Sequence, residues 1–288
     1  MTTEYSFAVF IITHGRAGHV ITDTVLRRQG FTGQILYVVD DLDPQLPEYQ
    51  KLYGTDAVKV FSKSQIVKSF DIADTKTDTR SSCYARNAAN LIAELLGLDY
   101  FLVLDDDYIE FQFRYGSSTH LFSIPCRNLD NLFAAMLRFL ISTNAEAVAL
   151  SQGGDFIGGI KSKNWKDGMK RKAMNTWFLS TKRPVTFIGR LNEDVNAYLL
   201  HGAVGKLFLS VSQAMIVQKT TQQQAGGMTE AYLDSGTYQK SFYSVLYAPS
   251  CVKVQPMFHS GHTRYHHRIN WDCAVPKIIN QRHRKEDS

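Results

Sequence analysis

The chain has 288 residues, a formal net charge of +5 and 44% hydrophobic residues, enough apolar material for a proper core. No run approaches the roughly 20 apolar residues of a membrane span, and the N-terminal MTTEYSF lacks the basic and apolar regions of a secretory signal. A cytoplasmic globular protein without a membrane partner is expected. Cys83, Cys126, Cys251 and Cys273 are widely spaced and form no CxxC pair, which fits scattered thiols better than a zinc site or disulfide framework.

In chain order, Phe7 to Ile12 reads as a buried strand running into Thr13, His14, Gly15 and Arg16. Val20 to Gln29 has helical spacing, with Gly30 where a C-cap belongs. A second strand, Ile35 to Val39, ends at Asp40 and Asp41. Leu46 to Tyr53 follows as a short helix closed by Gly54, and Val58 to Phe61 is a third strand. Strands alternating with helices imply a parallel sheet whose ligands gather beyond the strand carboxyl ends. Arg16, Asp40 and Asp41 then share one rim. Ser62 to Tyr84 is a long polar connection, expected to cover a substrate or to be partly disordered. Ala85 to Leu96 predicts a helix with Leu91, Ile92, Leu95 and Leu96 toward the sheet and Arg86 and Asn87 in its first turn. A cation there works against the helix dipole, so Arg86 points to a phosphate or a rim carboxylate as readily as to solvent.

Tyr100 to Leu104 is an unbroken apolar run, as in a strand buried on both faces, and Asp105, Asp106 and Asp107 follow at its carboxyl end. Most acidic triplets are solvated turns, but such turns seldom follow five buried-type residues. Asp105 and Asp107, which alternate, can point the same way and offer oxygen ligands to a hard divalent cation. Leu129 to Asn144 reads as a helix, and Ala147 to Leu150, Met174 to Leu179 and Val185 to Ile188 as strands. Gly153 to Gly159 is a flexible turn without the GK[ST] ending of a phosphate-binding loop. Glu193 and Asp194 open another helix, where the dipole stabilises acids. Gln218 to Gly227 is polar and carries no core, and Ser235 to Tyr247 is an aromatic-rich helix stopped by Pro249.

Charge is unevenly placed. Lys161, Lys163, Lys166, Lys170, Arg171 and Lys172 are opposed only by Asp167. From His259 to Lys285 come Arg264, Arg268, Lys277, Arg282, Arg284 and Lys285 with five histidines, against Asp272. Charge runs are usually solvated faces, yet two of them, each with an aromatic (Trp165, Tyr265), suggest a nucleic acid. The histidines match no zinc finger, but one of them could complete a Mn2+ or Mg2+ site begun by two aspartates. A nucleotidyltransferase, a metal-dependent nuclease and a non-enzymatic DNA-binding protein all remain open on these residues. The first lacks a glycine-rich basic loop for a triphosphate, the second has no need of Arg16 and Asp40, and the third leaves the triplet idle.

The segments VFIITHGR, GQILYVVDDLDP, ARNAANLIAELL, YFLVLDDDYIEF, QQQAGGMTEAYLDSGTYQKSFY and HHRINWDCAVPKI resemble the TET-associated glycosyltransferases, found chiefly in bacteriophages, and more broadly the GT-A glycosyltransferases. The resemblance implies a GT-A-like (Rossmann-like) α/β fold: a mixed, mainly parallel sheet flanked by helices, with a basic C-terminal tail. It implies a single domain over residues 1–288, with a nucleotide-sugar half (1–110) and an acceptor half with the tail (111–288). The implied reaction moves arabinose or glucose from a UDP-sugar to 5-hydroxymethylcytosine in phage DNA, with inversion, shielding the DNA from host restriction during infection; no obligate protein partner is implied. Carried over by residue, Asp105 and Asp107 hold the metal, with His262 and His259 as tail candidates. Thr13, Gly15, Arg16, Asp40, Arg86, Asp105 and Asp106 line the donor site, and Asp194 or Glu193 is the general base. Lys161, Lys163, Lys170, Arg171, Lys172, Arg264, His266, His267 and Arg268 are expected on DNA, with Trp165, Tyr265 or Trp271 holding an extruded base.

Overall fold

Alternate residues of the central strands are buried on opposite faces of one sheet. In β1 (Phe7–Ile12), Val9 and Ile11 join one core while Ala8, Phe10 and Ile12 join the other. In β4 (Tyr100–Asp105), Leu102 and Leu104 divide from Phe101 and Val103 in the same way. Such strands must be covered on both sides. Helices α1 (Ile21–Arg28), α2 (Leu46–Tyr53) and α5 (Leu129–Thr143) supply one layer, and α4 (Ser82–Leu95) and α7 (Glu193–Ala203) the other, with the short helix α6 (Lys163–Lys166) between α5 and α7 in the chain. The computed structural model describes residues 5–74, 79–156, 158–166, 175–219, 238–259, 262–275 and 277–284.

The nine-stranded sheet has the order β3-β2-β1-β4-β8-β7-β9-β5-β6. The further strands are β2 (Gln34–Asp40), β3 (Val58–Phe61), β5 (Tyr108–Gly116), β6 (Leu121–Pro125), β7 (Ala147–Gln152), β8 (Thr176–Ser180) and β9 (Phe208–Gln218). β3, β2, β1 and β4 are mutually parallel, and only β8 and β5 run against the common direction. The mixed, mainly parallel sheet flanked by helices is therefore as expected. Its parallel half brings Thr13, Asp40 and Asp105 to one rim.

Several expectations are corrected. Ser62 to Tyr84 is partly helical, with α3 (Lys63–Ile66) and a 3-10 turn at Val67–Ser69, and Ile66 and Ile72 are buried; residues 75–78 lie outside the described residues. Helix α4 begins at Ser82, capped by Ser81, so Arg86 and Asn87 lie past its first turn and are buried. Its small face, Ala85, Ala88, Ala89 and Ala93 with Ile92, meets the core, while Leu91, Leu95 and Leu96 are exposed. Alanines permit the close approach that seats Arg86 beneath the rim. Val185 to Ile188 is not a strand: Asn87 bonds both backbone groups of Phe187, and Asn90 donates to the Val185 carbonyl at 2.9 Å, in place of a ladder neighbour. Strands β5, β6 and β9 were not foreseen. The C-terminal stretch is no loose tail: β10 (Val252–His259) and β11 (His262–Ile269) form an antiparallel hairpin behind α8 (Gln239–Tyr247), followed by the short helix α9 (Trp271–Ala274).

Candidate active site

The acidic triplet is fixed by backbone before any side chain acts. The first N–H groups of α1, from Ile21 and Thr22, donate to the Asp106 carbonyl at 2.9 and 3.2 Å, and Thr22 Oγ1 donates to that of Asp105. These are orphan donors of a helix start, here used to hold the triplet. Its carboxylates then divide. Asp106 turns toward β1, accepting from Thr13 Oγ1 at 2.7 Å and from Arg16 Nη1 at 2.6 Å. Asp105 and Asp107 turn the other way, toward one amide: Gln218 Nε2 lies 3.5 Å from Asp105 Oδ2 and 3.1 Å from Asp107 Oδ1.

On the β1 and β2 side every carboxylate is answered. His14 Nδ1 sits 2.6 Å from Asp40 Oδ2 and 3.4 Å from Asp43 Oδ2, Lys63 Nζ lies 3.2 Å from Asp40 Oδ1, and the Gly15 N–H donates to Asp43 at 2.7 Å. Burial alone would raise the Asp40 pKa, but the His14 bond and the Lys63 charge outweigh it and hold the carboxyl below its usual range. The ligand atoms of His14, Asp40 and Asp43 lie within 4.8 Å of one another and could hold a metal ion, although Lys63 already supplies a cation there. Tyr49 OH bonds Thr13 Oγ1 and accepts from the Arg16 N–H, both at 2.8 Å, so the loop after β1 is rigidly set. Asp41 is occupied at the start of α3, accepting from the Lys63 N–H.

On the β4 side the balance is different. Asp105, Glu193 and Asp194 lie around the buried guanidinium of Arg86, which reaches Asp105 at 2.8 Å and Glu193 at 3.1 Å, while Asp107 meets the Gln218 amide and feels the charge of Arg16. Burial pushes Asp105 up to about 7 against the pull of Arg86, and it likewise raises Asp107 and Glu193. Burial would lower Arg86, but Asp105 and Glu193 outweigh it and keep the guanidinium charged. Its Nη1 is buried without a hydrogen-bond partner among the described residues. Oxygen ligands in surplus over cations suit a hard divalent ion, so the Asp105 and Asp107 pair fits Mg2+ or Mn2+.

Glu193 and Asp194 start α7 as expected. Gly189, with φ of +81°, opens the turn before them; a Cβ there would meet Asn196 Nδ2 at 2.6 Å. Glu193 is tied to Ser82 and Arg86, whereas Asp194, 9% exposed, has no side-chain hydrogen bond among the described residues. Asn192, left-handed at φ of 58°, touches His267 Nδ1 at 3.0 Å, which brings β11 to the helix start. His266 stacks on His267 with centroids 4.2 Å apart, and Arg268 is exposed. His259 and His262 oppose each other across the hairpin, but their side chains, like those of Arg264 and Lys163, lie outside the described residues. So do Lys170, Arg171 and Lys172 altogether; Lys161 is exposed. Trp165 and Trp271 are packed, against Phe156 and Tyr198 respectively, and only Tyr265 of the three expected base-holding rings is open, at 57%. His14, Asp43, Lys63, Ser82 and Gln218 escaped the sequence reading; only Asp43, within DDLDP, carried a local signal.

Comparison with curated proteins returns no match. Among solved structures, glucosyl-3-phosphoglycerate synthase from Mycobacterium tuberculosis, in complex with Mg2+ and uridine diphosphate, is similar at 10% identity. It covers 92% of this chain and 88% of its own, with a TM-score of 0.46. A mannosyltransferase from Pyrobaculum calidifontis, in complex with GDP-Man and Mn2+, is similar at 12% identity over 86% of this chain and 75% of its own, with a TM-score of 0.47. The family model described as TET-Associated Glycosyltransferase matches residues 7–227, from β1 through β9, and so covers the acidic triplet and both of its flanks. The chain belongs to the TET-associated glycosyltransferase family.

Proposed function

We propose that this glycosyltransferase moves a sugar from a UDP-sugar to the hydroxymethyl oxygen of 5-hydroxymethylcytosine in phage DNA, with the help of Mn2+ or Mg2+ and with inversion at the sugar. The observation that carries the reading is the convergence of Asp105 and Asp107 on one side of the triplet, in a buried surplus of negative charge beside the start of α7. When bound there, the ion neutralises charge that develops on the leaving diphosphate. Arg86, anchored by Asp105 and Glu193, adds a fixed positive charge beneath it. Arg16 and Thr13 hold Asp106 and shape the donor pocket, and Gly15 and the His14–Asp40 pair set its far wall.

Asp194 is the better candidate for the general base, because the carboxylate of Glu193 is engaged by Arg86 and Ser82. A base takes the proton from the attacking hydroxyl in the transition state, so it must be free to receive it. A tail histidine, His262 or His259, is the proposed additional ligand. The basic segment around Lys161 and the β11 residues His266, His267 and Arg268 are the proposed contacts to phosphate. A nuclease would need no donor wall, and a DNA-binding protein would need no buried carboxylate surplus. Arabinose is favoured slightly over glucose, on resemblance alone; the modification would protect the phage genome in the host cytoplasm. The test is mass spectrometry of nucleosides after hydroxymethylated DNA is incubated with a panel of UDP-sugars and Mn2+. A sugar adduct on 5-hydroxymethylcytosine is expected, with UDP release stimulated by the DNA; strand cleavage or no adduct with any donor would overturn the reading.

A further inference from the structure

Asn192 stands at the N-cap of α7 in the left-handed conformation that asparagine tolerates better than most residues. An asparagine in that place ordinarily accepts from an N–H of its own first turn. The Asn192 side chain makes no such bond. It reaches outward instead, with Nδ2 3.0 Å from Ser244 Oγ on α8 and 3.0 Å from His267 Nδ1 on β11. Ser244 Oγ lies 2.9 Å from Asn196 Oδ1, and Asn196 Nδ2 lies 3.1 Å from the carbonyl oxygens of both Ile188 and Leu191. Asn192, Asn196 and Ser244 are all buried, so a partner lost from this chain is not simply replaced by water.

Two backbone carbonyls give these bonds their direction. A carbonyl only accepts, so Asn196 turns its Nδ2 to Ile188 and Leu191 and its Oδ1 to Ser244. Ser244 then donates to that oxygen and accepts from Asn192 Nδ2. With Asn192 a donor on this side, His267 Nδ1 has to accept from it, and the proton of the neutral imidazole belongs on Nε2. The same turn is pinned again where Gly189 and Arg190 donate their N–H groups to the carbonyls of Asp71 and Ile72 at 2.8 and 3.0 Å. The start of α7 is therefore held from outside and not by its own cap. Resting on the reading of Asp194 as general base, we propose that Asn192 and Ser244 are positioning residues for Asp194, and that His267 ends their one-way relay as a fixed Nε2–H tautomer. A base works only within hydrogen-bond reach of its proton, and Asp194 lies two residues beyond Asn192. The relay thereby ties β11, with its proposed phosphate contacts, to the helix that carries the base.

The test joins nitrogen NMR of the histidine-labelled full chain to turnover. At about pH 8, where an imidazole is ordinarily neutral, His267 should show an unprotonated Nδ1 and a protonated Nε2, its signals assigned by their loss in His267→Gln. Asn192→Asp, nearly isosteric and equally at home in the left-handed conformation, replaces the donor by an acceptor and should bring a proton onto Nδ1. Ser244→Ala should lower kcat for transfer to hydroxymethylated DNA roughly tenfold to a hundredfold, as expected of a reacting group displaced by about 1 Å, with KM for the UDP-sugar unchanged. Melting temperatures show that the variants fold and put kcat on a folded-molecule basis. A wild-type His267 protonated on Nδ1, or a tautomer that Asn192→Asp does not move, overturns the relay. A lower melting temperature with wild-type kcat in Ser244→Ala makes Ser244 merely structural; it overturns the positioning role and leaves the base reading standing, provided that Asp194→Asn is slow. Wild-type turnover in Asp194→Asn overturns the base reading and this inference with it.

Discussion

The two flanks of the acidic triplet are built from the same residue types and do opposite things. Toward β1 and β2, Asp40, Asp43 and Asp106 meet His14, Lys63 and Arg16, and backbone and hydroxyl donors satisfy what remains. Toward α4 and α7, Asp105 and Glu193 share Arg86 with Asp194 beside them, and Asp107 meets only the amide of Gln218 and the charge of Arg16 among the described residues. The first flank is a finished ion-pair network, which would give the proposed donor wall its shape. The second is incomplete as protein: burial holds Asp105, Asp107 and Glu193 high in pKa, and a divalent cation would relieve them. A carboxylate cluster therefore says little by itself; the count of nearby cations separates scaffold from reactive centre.

Substitutions should expose this contrast. Asp107→Asn is expected to abolish transfer, since losing a direct ligand should exceed the roughly 10–100-fold loss in affinity typical of outer partners. The same change removes like-charge repulsion, so the metal-free variant should melt higher than wild type while gaining nothing from Mn2+. Full activity, or wild-type activity retained in EDTA, would remove the metal from this flank. Asp194→Asn should lower turnover by about 10²–10⁴-fold with UDP affinity intact, because a base acts in the transition state. If UDP binding collapses and turnover survives, Asp194 is a binding residue or a helix cap. On the finished flank, Asp40→Asn strands Lys63, which is 8% exposed. Breaking such a buried pair costs about 3–5 kcal/mol, less as far as the amide still accepts from His14. Urea unfolding should find that loss equal with and without Mn2+; a loss that Mn2+ repairs would make Asp40 a ligand.

How much of this was legible follows from what each signal requires. β1, β2 and β4 announced themselves because strands buried on both faces are continuous apolar runs, and their polar ends mark the rim. Arg86 was visible as a cation out of place, though its partners were not, since Glu193 is 107 positions away. Strands β5 and β6 were hidden because FQFRYG and LFSIP lie at the margin of the sheet, β6 at its edge and β5 next to it, with apolar residues that do not all face the core. Gln218 gave no signal: a neutral amide on a strand end becomes meaningful only when β9 lies beside β5. The β10–β11 hairpin was obscured by its charge, because histidines and arginines alternating along a two-stranded ribbon look like a tail until the ladder is formed.

The surplus of charge also carries a pH signature, smaller than any of these substitutions. Asp105 is pushed from 3.8 to about 7 by burial, so without metal its proton is held more tightly in the folded than in the unfolded chain. Its contribution to stability is full below about pH 4 and is lost as pH rises through about 7. Cation binding runs the other way, because it needs the ionised carboxylate. One unit below the pKa only about a tenth of the sites are ionised, a tenfold weaker affinity or about 1.4 kcal/mol, worth a few degrees of melting temperature in a chain of this size. Melting curves at pH 6 and pH 8 should therefore show a Mn2+-induced rise that is larger by a few degrees at the higher pH. Asp40→Asn should keep that dependence and Asp105→Asn should lose it. A Mn2+ response that Asp105→Asn leaves intact would mean that the ion sits elsewhere. The His14, Asp40 and Asp43 cluster is the one other place on the rim, among the described residues, with the spacing to hold it, and the two flanks would then exchange roles.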